Sequence, residues 1–230
     1  IAEPAFLKAL GLLFCSQSLA HLKRIVLETE HPHWHQAVES IADLGFPEGF
    51  AFLAEQVGRV RDPEPLQQLL LKLGASRNPV YVPVLLEGFE RDREALEHSL
   101  NTALLACVDD TCGSHTARII ELYEDPDLTY TSHYLAALAR IGAPQTRGFF
   151  ETLIADSDRI ARTPYVFSYA LEGLSRIGDD VRNYLDHAFE RELYTERFFA
   201  AISRSRMRAY APALRGLIGD AGRNEWERSW

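Results

Sequence analysis

Leu135-Ala136-Ala137-Leu138-Ala139-Arg140-Ile141-Gly142 is a run of apolar residues at helical spacing, closed by a branched residue and a glycine. Glycine tolerates the left-handed backbone that ends a helix, so the run reads as the last turns of a helix with its stop signal. The signature returns in Ala170-Leu171-Glu172-Gly173-Leu174-Ser175-Arg176-Ile177-Gly178, and shorter versions end at Leu10-Gly11, Leu44-Gly45 and Leu73-Gly74. With Cys112-Gly113 filling the gap, successive glycines lie 34, 29, 39, 29 and 36 residues apart. Such spacing belongs to stacked helix pairs, each too small to bury its apolar face alone.

The two helices of each pair differ. The one before the glycine carries Ala37, Val38, Ile41 and Leu44, then Leu66, Leu70 and Leu73, then Tyr134, Leu135, Leu138 and Ile141, then Ala170, Leu171, Leu174 and Ile177. The one after it carries Phe50, Phe52, Leu53 and Val57, then Val82, Val84, Leu85 and Phe89, then Ile119, Ile120 and Leu122, then Phe149, Phe150, Leu153 and Ile154, then Val181, Tyr184, Leu185 and Phe189. Prolines 47, 65, 79, 126, 144, 164 and 212 fall near helix starts or links, where the missing donor costs little. Pro83 is expected in a first turn.

These segments, each followed by a second amphipathic helix, resemble HEAT repeats of the short kind also found in phycobilisome lyases. The resemblance implies an all-α fold, a right-handed α-solenoid of about six HEAT-like helix pairs. One array is expected over 1–230, with units 1–11 (partial), 12–45, 46–74, 75–113, 114–142, 143–178 and 179–230. The opening Ala5-Phe6-Leu7-Lys8-Ala9-Leu10-Gly11 reads as a second helix lacking its first, and suggests a processed chain or a piece of a longer solenoid.

HEAT-like arrays serve mostly as curved binding scaffolds and occasionally as enzymes. The di-iron hydroxylases of this architecture need recurring His-Glu pairs, and the sequence has no His-Glu dipeptide. HEAT-like DNA glycosylases need a cationic groove, whereas this chain has 33 acidic against 24 basic residues and a net charge of -9. Nucleic acid is therefore an unfavoured partner, with Arg197, Arg204, Arg206 and Arg208 read as the solvated face of a terminal helix. No motif marks a bilin site. No Gly-x-Ser-x-Gly elbow, phosphate loop or Cys-x-x-Cys is present, and Glu97-His98 reads as a solvated polar face.

Hydrophobic residues make up 47% and charged residues 25%, spread evenly, with no apolar run long enough for a bilayer. Three cysteines cannot all pair within one chain, which favours a reducing, cytoplasmic setting. Cys107 and Cys112 could bridge, but two packed thiols is the better reading. His31, His33 and His35 could share a face in an extended strand, but Pro32 and the helical pattern from Trp34 place them at a link and first turn. Neither metal nor cofactor is assigned.

What the repeats share is a surface. Counting back one, five and eight residues from each closing Leu or Ile gives three rows. They are Asp43, Lys72, Arg140 and Arg176; Glu39, Gln68, Ala136 and Glu172; and Gln36, Pro65, His133 and Tyr169, with Tyr165 one turn earlier. Lys72, Arg140 and Arg176 have two readings, as ligands for a partner or as cations complementing helix C-termini. Tyr165, Tyr169 and His133 combine flat area with polar tips and are the expected hot spot. The expected function is a non-catalytic scaffold or adaptor holding a protein, basic rather than acidic, on its concave face. An inhibitor or immunity-like protein covering a basic enzyme is a narrower version, and an enzyme such as a bilin lyase is the alternative.

Overall fold

The structure, a computed structural model, describes residues 8, 16–28, 30–181 and 183–184. Expectations about Leu10-Gly11, Leu185, Phe189, Pro212 and the arginines from 197 to 208 lie outside those residues. Two compact units divide at Ala143 and Pro144. The first holds α1 (Ser16–Leu27), α2 (Trp34–Leu44), α3 (Pro47–Val57), α4 (Pro63–Ala75), α5 (Val82–Phe89), α6 (Arg93–Cys107), α7 (Thr116–Glu124) and α8 (Thr131–Ile141). The second holds α9 (Arg147–Ala155), α10 (Ser157–Arg162) and α11 (Tyr165–Ile177). Short 3-10 turns cover Pro79–Tyr81, Asp110–His115 and Pro144–Thr146, and the described residues contain no strand. The chain is all-α, as its apolar periodicity predicts.

In the first unit α2, α4, α6 and α8 pack side by side as a row, while α3, α5 and the Asp110–His115 turn pack successively as a second layer. Ala37, Val38, Ile41 and Leu44 of α2 are all at most 2% exposed, as are Leu66, Leu69, Leu70 and Leu73 of α4. Fully burying each such leucine, isoleucine or valine contributes about 1.5–3 kcal/mol. Proline stands at the first position of α3 and α4, and Pro83 occupies the second position of α5, in the first turn as expected.

Carbonyls at the C-terminal ends of helices have no partner within their own helix, and here residues from farther along the chain take them. The indole Nε1 of Trp34 donates to Val26 O (3.0 Å) at the end of α1. Arg91 donates to Gly58 O and Val60 O beyond α3, and the Cys107 thiol lies 3.6 Å from Leu73 O in the last turn of α4. Arg140 donates to Leu105 O (2.9 Å) in the last turn of α6.

The glycine signature has two physical meanings. Gly45, Gly142 and Gly178 are left-handed, with φ of 68°, 58° and 93°, and close α2, α8 and α11. Gly74 instead lies inside α4, and the left-handed residue beyond that helix is Arg77 (φ 53°). A β-carbon on Gly74 would lie 2.5 Å from Ala103 Cα, so α4 and α6 come into close backbone contact at this glycine. Gly113 sits within the 3-10 turn that follows α6 and does not end that helix.

In the second unit α9 packs along α11 and α10 bridges them. Phe150 presses on Gly173, where a β-carbon would fall 2.2 Å from the ring. Arg147 pairs with Asp179 just past α11.

Candidate functional site

Gln36, Glu39 and Asp43 lie on α2, Gln68 and Lys72 on α4, and His133 and Arg140 on α8, all in the first unit. Tyr165, Tyr169, Glu172 and Arg176 lie on α11 in the second. Glu39 meets Lys72 at 3.4 Å, and His35 meets Gln68, whose Nε2 donates to His35 O (2.9 Å). Both pairs are 33 residues apart. Because they sit one turn apart on each helix, α2 and α4 run parallel and in register at that offset. Glu97 of α6 and Tyr130, the residue just before α8, repeat the same separation.

This register corrects the rows read from sequence, which paired Glu39 with Gln68. Counting from Gly45 to Gly74 gives 29 residues, because Gly74 is a packing glycine rather than a helix stop, and the error is one helical turn.

The three row cations are engaged inside the fold. Lys72 pairs with Glu39, Arg140 holds the Leu105 carbonyl, and Arg176 lies 3.4 Å from Glu172 one turn back. Glu172 is itself only 5% exposed. Tyr165 is 38% exposed and stands edge-on to Tyr169, with ring centroids 6.1 Å apart. Asp43 is exposed, while Gln36 is half-buried with an Oε1 that has no hydrogen-bond partner.

The residues that sequence reading missed belong to α6, which had no glycine stop to reveal its place in the row. Glu97 is 7% exposed, not solvated, and its carboxylate accepts the N–H of Tyr130 at 2.6 Å. Asn101, one turn on and 2% exposed, has neither amide atom hydrogen-bonded. Across the seam, Tyr134 is fully buried with an unpartnered hydroxyl, and His133 Nδ1 is likewise unpartnered. Burial first, and then the charges of Glu97 and Asp125, push the Tyr134 hydroxyl well above the usual tyrosine range. Above this seam Tyr130, 44% exposed, stands edge-on to His98 and to His133, each 6.0 Å away between centroids. His35, Gln68, Asn101 and Tyr134 stand 33 residues apart in turn, but their residue types differ, so the offset leaves no mark in the sequence.

At the α1–α2 link, the rings of His31 and His33 lie 5.7 Å apart, and His31 Nδ1 accepts the N–H of His33. Trp34 packs inward at 3% exposure. Cys107 and Cys112 are free and buried, and burial raises both thiols above the usual cysteine value. A depression of about 380 Å³ is lined by Asn78, Val80, Pro83, Cys112 and His115 among others, and a smaller one of about 240 Å³ by Trp34, Arg59, Arg61 and Asp62 among others. Of the row residues only Pro65 takes part, at the rim of the smaller one. Compared with known proteins, the chain matches no family model and no curated sequence.

Proposed function

We propose that the chain is a HEAT-like, right-handed α-solenoid of about six helix pairs that acts as a non-catalytic scaffold, holding a protein partner on the surface its row helices present. The observation that carries this reading is the 33-residue register of α2 with α4, a separation that the Glu97–Tyr130 hydrogen bond at the start of α8 repeats. An in-register row repeats its side chains at regular steps, which suits an extended partner better than a small substrate. The net charge of -9 favours a basic partner, by steering it in and repelling nucleic acid. Free buried thiols at Cys107 and Cys112 fit a reducing setting such as the cytoplasm, and no helix among the described residues is long and apolar enough to cross a membrane.

The edge-on Tyr165–Tyr169 pair offers flat contact area with polar tips on α11. Affinity capture from the native source, with the wild-type chain beside a Tyr165→Ala, Tyr169→Ala variant, tests the reading. A protein retained by the first and lost by the second supports it. Identical sets from both, or a small chromophore eluting from the wild type, overturn it in favour of another surface or an enzyme.

A further inference from the structure

We infer that Tyr130, His98 and His133 form the anchor for a cationic side chain, a lysine ammonium or arginine guanidinium, of the bound partner. The inference rests on the scaffold reading and names the chemistry that one part of its surface would recognise.

Tyr130 is one of the few large side chains left substantially exposed, and it is held rather than loose. Its N–H is clamped by the buried Glu97 carboxylate, and imidazoles approach it at interplanar angles of 63° and 79°. Aromatic faces attract cations through their quadrupole, by about 0.5–1 kcal/mol when exposed and about 2 when desolvated. The elements that adjoin Tyr130 carry exposed carboxylates. Glu94, Glu124 and Asp127 are exposed on α6, at the end of α7 and in the link into α8. Arg93 in the same region is already held by Glu90 and Asp125. Lysine and arginine carry only donors, and the exposed carboxylates are acceptors that can receive them.

The probe is an acetylated lysine–arginine octapeptide, with a glutamate–aspartate octapeptide as control, titrated into the full chain and followed by calorimetry and aromatic NMR. Tyr130→Ala keeps the backbone N–H that Glu97 accepts, so the fold is retained. The basic peptide should bind and shift the Tyr130, His98 and His133 resonances. Tyr130→Ala should weaken it about five-fold or more, while Val80→Ala, at an exposed apolar residue outside the rows, leaves it unchanged. Binding that leaves those resonances still, or that Tyr130→Ala does not weaken, overturns the anchor but keeps a basic partner. No binding of the basic peptide overturns the anchor and removes support for a basic partner, and the capture experiment then decides the scaffold reading separately.

Discussion

Gly74 of α4 and Ala103 of α6 touch so closely that a β-carbon on the glycine would lie 2.5 Å from the alanine's Cα and 2.7 Å from its Cβ. The nearer atom is backbone, which cannot rotate away. Gly74→Ala gains helix propensity of about 1 kcal/mol but forces two helices apart, and overpacking of this kind costs about 1–3 kcal/mol. Net destabilisation of up to about 2 kcal/mol is expected in urea unfolding. Because the tightest clash is with Cα, adding Ala103→Gly should rescue it only in part. Full rescue would show that the helices are spaced by the alanine methyl alone.

Tyr134→Phe tests the orphaned hydroxyl in the α6–α8 seam. Removing a buried polar group that has no partner relieves its desolvation penalty, so the variant should match or exceed the wild type by up to about 1 kcal/mol. A clear fall in Tm would mean that the hydroxyl is bonded in solution, to water or to a bound group.

Glu90 receives hydrogen bonds from Arg93 and Arg118, and Arg118 also binds Glu121. Burial raises the Glu90 carboxyl, but the two guanidinium groups more than reverse this and leave it below the usual glutamate value. A depressed folded value means that the stabilisation is present above the ordinary carboxylate pKa and is lost as pH falls through the folded value. Carbon NMR titration should therefore find Glu90 titrating low, and Arg93→Ala or Arg118→Ala should move it upward. An unchanged midpoint in both variants would contradict the pairing.

Cys107 and Cys112 should resist alkylation. Burial keeps each thiol protonated and shielded, and the thiolate is the reactive form. Iodoacetamide at neutral pH, followed by peptide mass spectrometry, should label both slowly in the native chain and fully in denaturant. Native labelling at the rate of a free cysteine would show that the α6 end opens readily.

Arg140→Ala exposes the Leu105 carbonyl that its guanidinium now holds. Loss of about 1 kcal/mol is expected, with faster amide exchange at the end of α6. Unchanged stability and exchange would return Arg140 to the pool of partner-binding cations.

The helices and the stops at Gly45, Gly142 and Gly178 were legible because their causes are local. Apolar spacing fixes which face is buried, and a left-handed residue after a helix needs glycine or a tolerated strain. Pro83 in a first turn follows from the same local rule. The rows were less legible. A glycine that ends a helix and one that lets two helices touch look alike in sequence, and treating Gly74 as the first kind moved the α4 residue of every row by a turn.

What the sequence by itself determined is therefore the all-helical class, the apolar face of each helix and the acidic balance. Only tertiary structure decided that α2 and α4 pair at an offset of 33, that Glu97 and Asn101 are buried, and that Lys72, Arg140 and Arg176 are engaged within the chain. Helix formation answers to neighbours three and four residues away. Burial and pairing answer to whichever surface packing brings opposite, and here a single contact at Gly74 and Ala103 sets how closely α4 and α6 can meet.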